Sequence, residues 1–123
     1  MTHETTAQQD LATLRARVRE FARERDWEQF HSPKNLAMAL IVEAAELVEP
    51  FQWLTQDESR ALDAGTRQAV AEEIGDVLIY LVRLADVLNI DPLEAAFAKL
   101  EVNARKYPVD KARGHSRKYD RLE

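Results

Sequence analysis

Glu43 and Glu46, and again Glu73 and Asp76, are acidic pairs three residues apart, each set in an otherwise apolar stretch. LAMALIVEAAELV, Leu36 to Val48, has thirteen residues of which only Glu43 and Glu46 are not apolar. EEIGDVLIYLVRLA, Glu72 to Ala85, carries the second pair. On a helix, residues three apart lie on one face a turn from each other. Carboxylates side by side away from water must protonate, find cations or bind metal. Two matching pairs on two apolar helices therefore point to a cation site inside a helix bundle, with Glu43, Glu46, Glu73 and Asp76 as its ligands. An oxygen-only set selects Mg²⁺, with Mn²⁺ as the alternative, over softer metals. A di-iron bundle needs Glu-x-x-His pairs, and none of His3, His31 and His115 stands three residues from these acids. Mg²⁺ leaves positions for water and phosphate oxygens, so the chemistry in view is phosphate chemistry. The competing reading pairs the acids with Arg83, Arg67 or another subunit. Glu49 and Glu72 lie off the direction of the main pairs and read as solvated surface.

The elements that must hold these acids are helices. Apolar residues recur with helical period and strand alternation is absent. Leu11, Leu14, Val18 and Phe21 mark one stripe of a helix from Thr6 to Asp26. DWEQFHSP breaks it, and Ser32 and Pro33 suit an N-cap and first turn. A second helix is predicted from Pro33 to Leu54, kinked at Pro50, which has no N–H to give to the Glu46 carbonyl. Thr55 to Thr66 reads as a connection with a short helical turn. Thr66 is the predicted cap of a third helix to Asn89, with Val70, Ile74, Val77, Leu78, Leu81, Leu84 and Leu88 as its core face. Asp91, Pro92 and Glu94 open a fourth helix as cap, first-turn proline and capping-box acid, and Pro108 stops it after Lys106. The fold class is thus all-α, a four-helix-type bundle. Residues 1–108 read as one domain, and 109–123 as a basic, mobile C-terminal tail. Helices apolar on nearly every face need more cover than 123 residues supply, which predicts an oligomer.

The whole chain sets further bounds. With 46% apolar and 32% charged residues it has the composition of a globular protein, and a net charge of −5 argues against nucleic-acid binding. No apolar run is long enough to span a membrane, no signal peptide is visible, and the lack of cysteine suits a reducing compartment, so a cytoplasmic location is expected. Glu43 to Asp76 contains nine acidic and two basic residues, while Lys99, Arg105, Lys106, Lys111, Arg113, Arg117, Lys118 and Arg121 crowd the last quarter. An acidic centre beside a basic edge suits a metal–polyphosphate ligand; ordinary solvated charge explains the same counts.

EAAELVEPFQW followed by EEIGDVLIYLVRLADVL resembles the all-α nucleoside triphosphate pyrophosphohydrolases of the MazG-like group, whose signature is Glu-x-x-Glu, a spacer, then Glu-x-x-Asp. That signature falls on Glu43, Glu46, Glu73 and Asp76. DWEQFHSPKNL, FQW, DVLIYLVRLA, KLEVNARKYP and SRKY are similar to the dCTP pyrophosphatase branch, over Arg23 to Tyr119. The resemblance implies cleavage of a nucleoside triphosphate between its α and β phosphates, giving a monophosphate and pyrophosphate. Carboxylate-held Mg²⁺ neutralises the triphosphate and activates water in such chemistry, and one glutamate can serve as general base. Glu46, beside Pro50, is the choice for that role. The resemblance also implies dimers, often paired into tetramers, in which one subunit supplies the four acids and another supplies Trp27 and His31.

Lys99, Asn103 and Lys106 form one polar stripe on the fourth helix, a solvated face on spacing alone. The resemblance places Lys99 and Asn103 against the nucleotide, with Lys106 less firmly assigned. Tyr80 lies one turn beyond Asp76 and can offer a hydroxyl to substrate. Trp27 and Trp53 sit at helix ends, where a ring is either core or a stacking platform for a base. His31 is either a surface histidine or, by its place in WEQFH, part of a cytosine-selecting pocket with Phe30 beside it; Phe51 reads as core. The expected substrate is dCTP or a modified dCTP. A broad or dUTP-type pyrophosphohydrolase on the same fold and a non-catalytic metal-binding helical module are the alternatives.

Overall fold

The structure is a computed structural model that describes residues 10–118 and residue 120, so Thr6 to Gln9, His3, Tyr119 and the last three residues lie outside it. Every regular element among the described residues is helical. In chain order these are α1 (Leu11–Glu24), a 3₁₀ turn (Glu28–Phe30), α2 (Pro33–Val48), α3 (Gln56–Ser59), α4 (Ala64–Val87), α5 (Pro92–Lys106) and α6 (Val109–Ala112). No helix among the described residues is long and apolar enough to cross a membrane.

Local chemistry accounts for most of the boundaries. Asp10 caps α1 by accepting the Thr13 N–H at 2.8 Å. At its other end Asp26 takes a left-handed conformation, φ 55°. The Trp27 N–H then reaches the Ala22 carbonyl and the Asp26 N–H the Arg23 carbonyl, the paired bonds of a Schellman stop. This turn fixes where Trp27 leaves the helix. Ser32 caps α2 through the Asn35 N–H, and the Asn35 side chain donates to the Phe30 carbonyl, tying the 3₁₀ turn to the helix start.

Three expectations are corrected. The second helix does not run through Pro50 with a kink; it stops at Val48. The Glu46 carbonyl accepts the Glu49 N–H at 3.2 Å, and a run of tight turns carries the chain to Leu54. Proline at this position ends the helix because the N–H it lacks is the one Glu46 needs to continue. The cap of the third long helix is Asp63, whose carboxylate accepts the Thr66 N–H at 2.7 Å, so Thr66 is inside the first turn. Asp91 caps α5 through the Leu93 and Glu94 N–H groups, whereas the reciprocal capping box forms between Thr55 and Glu58 at α3. The segment after Pro108 begins with the single turn of α6.

The chain divides after Asn89 into two units. In the first, α1 and α2 both pack on α4, so α4 is the central helix. Its core is small: Ala22, Leu36, Val82 and Ala85 are the buried apolar residues. Val70, Val77 and Leu84 on the expected core face of α4 are half-buried. Ile74, Leu78, Leu81 and Leu88, expected on that face, stay exposed, Ile74 by 53%. Periodicity identifies an apolar face but not whether the same chain covers it. α2 shows the same excess, with Met38, Ile41, Val42 and Val48 exposed. The second unit carries α5 and α6.

Candidate active site

α2 and α4 pack directly on each other, and the two acidic pairs meet across that contact. Carboxylate oxygens of Glu43, Glu73 and Asp76 lie within 4.8 Å of one another. Glu43 and Glu73 are half-buried and Asp76 is exposed, so the group opens at the Asp76 side. Glu46 stands outside the closest trio, yet its charge bears on both Glu43 and Glu73. Glu49 and Glu72 are exposed, as expected.

Burial pushes the Glu43 carboxyl up to about 7, and the neighbouring Glu46, Asp76 and Glu73 carboxylates add to the effect. Glu73 is raised as well, by desolvation first and by the Glu46 charge next. Oε2 of Glu43 and Oε2 of Glu73 are buried without a hydrogen-bond partner. Such atoms are expensive in a folded protein unless something cationic or donating meets them. Arg83, one of the cations expected as a competing partner for the acids, instead pairs with Asp86. All ligand atoms in the group are carboxylate oxygens, and no histidine joins it among the described residues. This donor set fits a hard divalent cation.

The remaining expected site residues fall into separate places. Tyr80 is half-buried, one helical turn beyond Asp76 on α4. Trp27 is 45% exposed and meets Phe21 edge-on with ring centroids 5.8 Å apart. Phe21 in turn lines a groove of about 540 Å³ with Leu11, Leu14, Val18, Leu78 and Ile79, of which Ile79 is one turn from Asp76. The α1 stripe expected to be core is thus largely the wall of a groove. Trp53 is 86% exposed and Phe30 also faces solvent, while Phe51 is half-buried. Lys99 is exposed on α5 in the second unit, where Asn103 and Lys106 are half-buried.

His31 is half-buried at the end of the 3₁₀ turn, and its surroundings hold what the sequence reading missed. Arg83 Nε donates to His31 Nδ1 at 3.0 Å. Arg83 is only 6% exposed, the one buried charged residue among those described. Its Nη1 reaches Asp86 Oδ2 at 3.4 Å, and Asp86 is gripped by both Nε and Nη2 of Arg19. Hydrogen bonding from Arg19 holds the Asp86 carboxyl below its usual range. Desolvation, followed by the Arg83 charge, lowers the His31 imidazole, with Glu28 opposing. The available signal was an arginine inside LIYLVRLADV with an acid three residues on; nothing in the spacing pointed to a histidine 52 residues away.

The chain is similar to known proteins over most of its length. A model of the MazG-like family matches residues 38–122. Human (Homo sapiens) dCTP pyrophosphatase 1 is 47% identical over 116 residues, covering 93% of this chain and 66% of the human protein. Its bovine (Bos taurus) counterpart is 46% identical over the same length, covering 93% of this chain and 67% of the relative. The chain therefore spans about two thirds of the length of these relatives. A pyrophosphatase from Archaeoglobus fulgidus, known from its crystal structure, matches with TM-score 0.74 and 43% identity over 88% of this chain and 95% of its own. With its acidic pairs, its all-helical fold and these matches, the chain belongs to the MazG-like family.

Proposed function

We propose that this chain is a Mg²⁺-dependent nucleoside triphosphate pyrophosphohydrolase that cleaves dCTP, or a modified dCTP, to the monophosphate and pyrophosphate. The observation that carries the proposal is the Glu43, Glu73 and Asp76 group, with two buried carboxylate oxygens lacking any donor. The substrate assignment draws on relatives that are dCTP pyrophosphatases.

Glu43, Glu73 and Asp76 would hold the metal, with Glu46 completing the acidic set. A bound Mg²⁺ supplies charge neutralisation of the triphosphate and acidifies water. Glu46, beside the trio rather than within it, is the residue we assign to take the proton from the attacking water. Water attack at the α-phosphorus breaks its bond to the bridging oxygen, and pyrophosphate leaves. Tyr80, one turn from Asp76 on α4, is assigned to donate its hydroxyl to substrate, and Lys99, Asn103 and Lys106 to phosphate and sugar contacts. The groove bordered by Phe21 has a volume in the range of small-molecule sites. Its link to Trp27 through the edge-on contact supports seating the base there, with Trp27 and Trp53 as stacking surfaces and His31 reading polar atoms.

α2 and α4 leave Met38, Ile41, Val42, Ile74 and Leu78 exposed, and large apolar side chains in such number favour cover by a partner surface. A homo-oligomer, a dimer or a dimer of dimers, is the assembly this supports. Hydrolysis of a panel of deoxynucleoside and nucleoside triphosphates, with products separated by chromatography, tests the reading. dCTP should be converted to dCMP and pyrophosphate in preference to the rest. Equal turnover of all triphosphates would instead favour a broad-specificity enzyme.

A further inference from the structure

Arg83 is almost fully buried, and a buried guanidinium persists only when its donors are met. One donor goes to Asp86, and Asp86 is independently held by Arg19 on α1. A second, on Nε, goes to the ring nitrogen Nδ1 of His31 at 3.0 Å. Arginine has no acceptor and does not lose its proton, so the nitrogen facing it must offer a lone pair. A neutral imidazole that accepts at Nδ1 carries its hydrogen on Nε2. The network Arg19–Asp86–Arg83 therefore leaves His31 with one outward polar group, and that group is a donor.

We infer that Arg83 is a positioning residue that fixes His31 in the Nε2–H form, so that His31 selects a pyrimidine whose N3 is an acceptor over one whose N3 carries a proton. The inference rests on the proposed role of His31 at the base. Cytosine presents an unprotonated N3; uracil presents N3–H, which would face the Nε2–H donor to donor. A site built to hydrogen-bond one partner discriminates against a partner that leaves its polar group unpaired. Asp86 keeps both bonds from Arg19 when Arg83 is replaced, so Arg83→Met leaves no unpaired buried acid, and methionine fills most of the vacated volume.

The test combines two readouts. Nitrogen-15 NMR of the imidazoles in the unsubstituted chain near neutral pH should show His31 neutral, protonated at Nε2 and bare at Nδ1. Protonation at Nδ1, or an imidazolium, would overturn the inference whatever the variants do. In steady-state kinetics, Arg83→Met should lower the ratio of kcat/KM for dCTP to that for dUTP by about tenfold, the scale of one hydrogen bond, and NMR should show the His31 ring redistributed between its tautomers. His31→Phe, which keeps a ring and removes the donor, should lower the same ratio similarly and serves if Arg83→Met does not fold. An unchanged ratio in the folded variants overturns the inference alone. An unsubstituted chain that hydrolyses neither nucleotide overturns the functional reading and the inference with it, a result distinct from the other two.

Discussion

Glu43 on α2 and Glu73 on α4 meet across the helix contact, each with its Oε2 buried and without a hydrogen-bond partner. In the metal-free chain this arrangement favours the protonated form, which is why the Glu43 carboxyl rises to about 7 from an ordinary 4.5. A carboxyl raised by folding contributes stability that is fully present below its unfolded value and is lost as pH rises through the folded value. The metal-free chain should therefore lose stability between about pH 4.5 and pH 7. Thermal melts in chelator across that window check this. Glu43→Gln should flatten the decline, and a decline of equal size in that variant would remove Glu43 as its source.

Metal should reverse the effect. A cation that binds only the folded state stabilises it by mass action, by about 2.7 kcal/mol at a hundredfold excess over Kd. The melting temperature should rise by several degrees in millimolar Mg²⁺, and more at pH 8 than at pH 6, because binding must displace the Glu43 proton. A melting temperature unmoved by Mg²⁺, with and without a non-hydrolysable triphosphate, contradicts the metal assignment.

The helical order and much of the carboxylate arrangement were legible from residue spacing. Ser32 before Pro33 and Asp91 before Pro92 marked two helix starts, and the i, i+3 acids on two apolar segments brought Glu43, Glu73 and Asp76 together. What spacing could not supply was partner choice. Ile74 and Leu78 read as core because periodicity reports which face is apolar, not what covers it. Thr66 and Asp63 are both good caps by type, and only the bond from the Thr66 N–H to the Asp63 carboxylate decides between them. Arg83 and His31 are coupled through tertiary packing alone.

The cap assignment has its own test. Asp63→Ala should destabilise the chain by about 1 kcal/mol through loss of the α4 cap, whereas Thr66→Ala, inside the first turn, should have a smaller effect. Urea denaturation of both variants measures this, and the reverse order would restore Thr66 as the cap.

Trp27 and the acids should separate under mutation. Trp27→Ala removes stacking worth about 1–3 kcal/mol. If the contact is equal in ground and transition states, the loss appears in KM rather than kcat. Because Trp27 is partly exposed at a helix end, the variant should keep its helical circular dichroism. Mixing Asp76→Asn subunits with Trp27→Ala subunits should recover some activity if one subunit's base contact serves another's acids. No recovery after verified subunit exchange means that each chain builds its own site.

Pyrophosphate release from dCTP by the Asp76→Asn variant, measured beside the unsubstituted chain with and without Mg²⁺, bears most directly on the account. Asparagine keeps the size of the side chain and removes one anion from the group whose oxygens lie within 4.8 Å. The unsubstituted chain should release one pyrophosphate per dCMP only when Mg²⁺ is present. Asp76→Asn should fold, melt in chelator at no lower a temperature than its parent, and lose nearly all turnover even at saturating Mg²⁺. Near-parental turnover by the variant, or equal turnover by the parent in chelator, would contradict the carboxylate cluster as the centre of the reaction.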